Sequence, residues 1–169
     1  AQEDETARRI AMRVVEPPTP EKIEQILEQV KREIGLALSS KQEAAVYAAY
    51  RHNLSIITGS PGTGKTTVLK TILEVYRRLH PQGEIALMAP TGRASRRMAE
   101  STGVDKAKTL HSILGLASEE DEIKRNNTQE PLSADLIIVD EFSMVDMWLA
   151  NKFFSRIKGG ARVILVGDP

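Results

Sequence analysis

The segment Gly59-Ser60-Pro61-Gly62-Thr63-Gly64-Lys65-Thr66 brings three glycines, a lysine and a threonine hydroxyl within eight residues. It matches G-x-x-x-x-G-K-[ST] in full, and each residue type has a chemical reason to be there. Glycines at 59, 62 and 64 let backbone N–H groups turn inward toward an anion with no Cβ in the way. A helix starting at this point adds its unpaired N–H groups and the positive end of its dipole. In such a cradle Lys65 reaches the β- and γ-phosphates of ATP, and the Thr66 hydroxyl ligates Mg²⁺. Pro61, Thr63 and Thr67 complete the candidate nucleotide-binding set. The competing reading is a glycine-rich turn that holds nothing. An apolar run before the motif and a helical stretch after it argue for the cradle.

A second constellation lies at Leu136-Ile137-Ile138-Val139-Asp140-Glu141, an apolar run closing on two carboxylates. At the end of a strand beside the cradle, Asp140 is placed to hold the Mg²⁺ shell together with Thr66. Glu141 then orients or deprotonates the attacking water, for which it need only accept a hydrogen bond. The alternative is that the pair caps the next helix, where acids are favoured in any case. With the phosphate loop present the catalytic reading is the stronger one, with Lys65, Asp140 and Glu141 as the catalytic set.

These residues need elements to hold them. Short apolar runs at 54–58, 85–89, 136–140 and 162–166 read as strands, continuous rather than alternating, as in a parallel sheet covered on both faces. Helical stretches at 64–79, 91–101 and 145–157 alternate with them, which predicts a doubly wound α/β fold. Upstream, Ala1 to Val15 reads as the tail of a helix, and the prolines of Glu16-Pro17-Pro18-Thr19-Pro20 as a linker. Thr19 as N-cap and Pro20 at the first helical position open a helix whose apolar face carries Ile23, Ile26, Leu27, Val30 and Ile34. Another helix starts at Ser40, where Ser40-Lys41-Gln42-Glu43 has capping-box spacing. The expected organisation is a helical segment and linker over 1–37 and the nucleotide-binding domain over 38–169. The polar stretch 118–131 has almost nothing to bury and reads as a loop. Trp148, on a helix with Val145, Leu149 and Phe153, reads as core or inter-domain packing.

Composition narrows the class without naming a partner. With 169 residues, 41% hydrophobic and 27% charged, the chain is of ordinary globular make-up. Lys plus Arg and Asp plus Glu number 23 each, so any argument for nucleic acid must come from a local patch. The densest basic stretch is Arg93, Arg96, Arg97, Lys106 and Lys108, which suits a backbone-tracking groove or else a solvated helix face. Cysteine is absent, which excludes disulfides and thiolate metal sites and fits a reducing, cytoplasmic setting. No apolar run is long enough to span a bilayer. Three histidines without ligand spacing argue against a metal other than Mg²⁺.

Beyond these physical readings, the motif string resembles that of superfamily 1B DNA helicases, in their order along the chain. Met88 to Ser95 looks like motif Ia, Thr109 to Gly115 like motif Ib, Val139 to Asp146 like motif II, and Val163 to Pro169 like the start of motif III. Gln42 falls where the Q motif sits. The wording is closest to the RecD-like branch, and Phe142 is a departure where that branch more often has alanine. The resemblance covers about residues 38–169 and implies a RecA-like P-loop NTPase fold. It implies that Gln42 bonds adenine, and that Pro90, Thr91, Gly92 and Arg93, extended by Thr109 and His111, line a path for single-stranded DNA. It also implies 5′-to-3′ unwinding driven by ATP hydrolysis, a second RecA-like domain supplying arginines, and nuclease-complex subunits as further partners. The chain ends at Pro169, just after motif III begins. On its own it is therefore expected to bind nucleotide modestly and neither to hydrolyse briskly nor to unwind. The alternative from another class is an AAA+-type or other P-loop ATPase that remodels proteins, which leaves motif Ia unexplained.

Overall fold

The computed structural model describes residues 18–35, 37–58, 64–103, 107–114 and 132–167. Its elements run α1 (Pro20–Ile34), α2 (Ser40–Arg51), β1 (Leu54–Thr58), α3 (Lys65–Leu79), β2 (Ile85–Ala89), α4 (Gly92–Thr102), β3 (Ala107–Thr109) and α5 (Leu110–Leu114). After these come β4 (Leu136–Val139), a 3₁₀ turn (Phe142–Met144), α6 (Met147–Ser155) and β5 (Arg162–Gly167). The five strands form one parallel sheet in the order β1-β5-β4-β2-β3.

Strand residues alternate between two cores. Leu87, Leu136, Ile138, Ile164 and Val166 point into a cluster with α1, α2, α3 and Met98 of α4. Met88, Ile137, Val139, Val163 and Leu165 point the other way, against Leu110 of α5 and Leu149 and Phe153 of α6. Every residue of β4 is buried, as the apolar run 136–139 requires of a central strand covered on both faces. The helices α1 and α2 belong to the same core as α3: Ile23, Leu27, Val30, Val46 and Tyr50 are all buried in it. Arg162 on β5 fastens this layer to the sheet. Its guanidinium donates to the Ala49 and His52 carbonyls at the end of α2 and lies over the Tyr50 ring, 5.2 Å from its centroid.

Several local expectations need correction. Ile34 closes the periodic face of α1 but is exposed, because Gly35 in the left-handed region turns the chain away just after it. The capping box of α2 sits one residue earlier than its spacing suggests. Ser39 is the N-cap and Gln42, not Glu43, returns the bond, while Glu43 pairs with Lys31. Strand β4 stops at Val139, and β5 runs on to Gly167. The helix expected over 145–157 is the shorter α6, Met147–Ser155, which starts where Asp146 accepts the Leu149 N–H, and the 3₁₀ turn lies before it. Trp148 is exposed, with the Lys152 ammonium over its ring, and is not a core residue. Phe142, the departure from the RecD-like wording, packs against the core that holds Leu149 and Phe153. The stretches read as an upstream helix over 1–15 and as a polar loop over 118–131 lie outside the described residues, as do Glu16 and Pro17 of the linker.

Candidate nucleotide site

The site is built at the carboxyl ends of the parallel strands, where α/β sheets place ligands. Lys65, Thr66 and Thr67 open α3, whose preceding Gly64 adopts φ 83°. Only glycine takes that conformation without strain. A side chain there would also collide with the Gln42 amide. Gln42 itself reaches both ways: its Oε1 accepts the Ser39 N–H at 2.8 Å, and its Nε2 donates to the Gly64 carbonyl at 3.3 Å. The residue that closes the α2 capping box is thus also the side chain that holds the last glycine of the phosphate loop. Gly59, Pro61, Gly62 and Thr63 lie outside the described residues.

Across from Lys65, β4 delivers the two acids. Asp140 is half-buried, its N–H held by the Met88 carbonyl at 2.9 Å, and its Oδ1 accepts the Glu141 N–H at 2.8 Å. Glu141 has φ 50°, the one positive-φ non-glycine among the described residues. Such a conformation costs energy and is retained where surrounding structure imposes it. Neither acid caps a helix through its side chain: Glu141 makes no cap bond, and Asp146 does that work for α6. That removes the capping alternative. One cavity of about 460 Å³ is lined by Gly64, Lys65, Thr66, Asp140 and Glu141, together with Arg97, Ser101, Ser143, Met144 and Gly167. Five predicted residues from two chain segments, 64–66 and 140–141, therefore share one space. Thr67 is half-buried and does not line it; its carbonyl accepts the Thr71 hydroxyl at 2.7 Å.

Among the described residues no cluster of three acids or histidines stands ready for a metal. Mg²⁺ does not need one: it takes one or two protein oxygens and keeps waters and phosphate oxygens for the rest. Thr66 and Asp140, which line one cavity, could supply that donor set.

The candidate DNA residues gather further along the same edge of the sheet. Thr91 caps α4, accepting the Ala94 N–H at 3.1 Å, and Gly92 and Arg93 are exposed. Pro90 is half-buried. The register that pairs Ala89 with Thr109 sets the ends of β2 and β3 side by side, so Pro90 to Arg93 and Thr109 to His111 share one corner. Thr109 uses its hydroxyl to accept the Ser112 N–H at 3.1 Å, and His111 is exposed. Arg96 and Lys108 are exposed too, whereas Lys106 lies outside the described residues. Arg97 departs from the basic-patch reading: it turns to the nucleotide cavity, its guanidinium 3.8 Å from Glu141 Oε1. Composition grouped it with its neighbours. Its position four residues after Arg93 and four before Ser101, on one helix face, was the available signal.

This fold and this site define a P-loop nucleotide-binding domain of the RecA-like kind. The profile of the AAA domain family matches residues 42–169. The chain belongs to that family. It is 40% identical over 131 residues to the ATP-dependent RecD2 DNA helicase of Deinococcus radiodurans, covering 78% of this chain and 18% of that protein. It is 38% identical over 148 residues to the RecBCD enzyme subunit RecD of Haemophilus influenzae, covering 75% of this chain and 23% of the relative. Among solved structures, the Pif1 helicase from Candida albicans superposes with a TM-score of 0.56 at 32% identity, over 79% of this chain and 33% of that one. The chain spans about a fifth of the length of the curated relatives it matches.

Proposed function

We propose that this chain is the ATP-binding motor domain of an ATP-dependent DNA helicase. The observation that carries the reading is the single cavity in which Lys65 and Thr66, at the start of α3, face Asp140 and Glu141, at the end of β4. On this reading the N–H groups at the start of α3 and the Lys65 ammonium take the phosphates. Thr66 and Asp140 hold Mg²⁺, which when bound neutralises charge on the phosphate oxygens. Glu141 accepts a hydrogen bond from the attacking water and takes its proton as the bond to the γ-phosphorus forms and the bond from that phosphorus to the β,γ-bridging oxygen breaks, releasing ADP. Gln42 contacts the adenine, and single-stranded DNA runs over Pro90, Thr91, Gly92, Arg93, Thr109 and His111. A second RecA-like domain supplies arginines to the same ATP, stepping is 5′-to-3′, and subunits of a nuclease complex are candidate partners. Among the described residues no helix is long and apolar enough to cross a membrane.

The test is ATP hydrolysis by the longest natural polypeptide containing this domain, with and without single-stranded DNA. Stimulation by DNA that Lys65→Ala abolishes supports the motor. Hydrolysis indifferent to DNA supports the protein-remodelling alternative, and absence of any hydrolysis refutes both.

A further inference from the structure

Three features of the cavity converge on Arg97. It projects from α4, which the buried residues Ala94, Ser95 and Met98 seat firmly on the sheet. Its side chain is 65% exposed, opens into the cavity shared by Lys65 and Thr66, and touches Glu141 only at 3.8 Å. The partner glutamate is the residue whose backbone is pinned in the left-handed region, with its N–H on Asp140 and its carbonyl accepting the Met144 N–H. A firmly held helix thus offers a loosely held guanidinium to a carboxylate on a firmly held backbone.

Such a pair is weak. At this separation and exposure an ion pair contributes little, and one carboxylate does not use the fork of five N–H donors that a guanidinium carries. A terminal phosphate carries more charge and three oxygens, and takes arginine in paired charge-assisted bonds. We infer that Arg97 is a triphosphate-sensing residue, held by Glu141 in the empty site and transferred to the terminal phosphate when ATP enters. Its departure leaves the Glu141 carboxylate unencumbered for the attacking water. The inference deepens the nucleotide-site reading and rests on it. It also gives α4 two ends of one task, because Arg93, one turn earlier on the same helix, belongs to the candidate DNA corner.

The experiment is equilibrium binding of two fluorescent nucleotides with Mg²⁺, a non-hydrolysable ATP analogue and ADP. The proteins are the wild-type chain, Lys65→Ala, Arg97→Ala, Arg97→Lys, Glu141→Gln and the double variant Arg97→Ala/Glu141→Gln. Arg97 is exposed, so folding is expected to survive its replacement, and Arg97→Lys keeps the charge while losing the fork. Arg97→Ala is expected to weaken the triphosphate analogue by about tenfold or more and to leave ADP within about twofold. Arg97→Lys is expected to fall between Arg97→Ala and wild type. Glu141→Gln, which removes the competing carboxylate, is expected to tighten the triphosphate when Arg97 is present and to change nothing when it is absent. Equal effects of Arg97→Ala on both nucleotides, no effect on either, or a Glu141→Gln effect that persists without Arg97 would overturn the inference. If Lys65→Ala also leaves both nucleotides bound, the nucleotide-site reading itself has failed. If Lys65→Ala abolishes binding while Arg97→Ala matches wild type, only the sensing role is lost.

Discussion

At the scale of single residues, the site depends on side chains that serve two structures at once. Gln42 closes the capping box of α2 and holds Gly64 with the same amide. Gln42→Ala should therefore lower stability by about 0.5–1.5 kcal/mol, the usual net worth of a hydrogen bond, since the Ser39 cap itself remains, measured by urea unfolding. If the amide also contacts adenine, the same change narrows the preference for ATP over GTP by about fivefold in a binding titration. Asp140→Asn should leave the fold intact and blunt the Mg²⁺ dependence of nucleotide binding by about tenfold, since a neutral amide is a poor ligand for a hard cation. The motif residues themselves were plain in the sequence, because G-x-x-x-x-G-K-[ST] and an apolar run ending in two acids are local patterns. Two roles were not plain. Ser39 and Ser40 both offer capping-box spacing, and only the backbone decides which one caps. Arg97 reads as one of several basic residues until the sheet order brings α4 beside the end of β4.

Whole elements were legible where hydrophobic runs are long, and less so where short polar segments set a boundary. Strands β1 and β2 fall at the predicted residues, and α3 and α4 within one residue of them. The three-residue β3 and the five-residue α5 carry too few residues to show a period, and 107–114 was legible only as a motif. The Gly64 hinge between β1 and α3 has a direct test. Gly64→Ala puts a Cβ at φ 83° and against the Gln42 amide, and should cost on the order of 1–3 kcal/mol while disturbing phosphate binding. Thermal melting compared with nucleotide titration separates the two effects.

At the opposite end of the sheet, His80, just after α3, and Asp135, just before β4, are acid-sensitive. Burial lowers the pKa of His80, with Arg162 acting the same way, so the fold favours the neutral ring. Burial pushes Asp135 up, but the Glu84 N–H and the Lys158 ammonium, 2.6 Å away, outweigh it and leave that pKa lowered. Both shifts stabilise the fold above the ordinary pKa values and are lost on acidification, His80 first, as pH falls below about 6.5, and Asp135 further down. The melting temperature should therefore begin to fall between about pH 7 and 5, and His80→Gln should flatten that first step. An unchanged slope in the variant would remove His80 from the account.

Across the whole molecule, sheet order is what makes the site. The phosphate loop follows β1, the acids follow β4, and β5 separates those strands, while β2 and β3 carry the candidate DNA corner outward along the same edge. None of this order is visible in the chain itself, since strand neighbours far apart in sequence are fixed by packing of the two apolar layers. The class of fold was readable from the alternation of strands and helices; the adjacency of Arg97 and Glu141 was not. It follows that nucleotide and DNA should influence one another through α4, which touches both regions. The cradle itself is tested most directly by calorimetric titration of the chain with the non-hydrolysable ATP analogue in Mg²⁺. One saturable site per chain is expected, weakened about 10–100-fold by Lys65→Ala, the loss of one charge-assisted contact. No saturable binding, or equal binding by the Lys65→Ala variant, would contradict it.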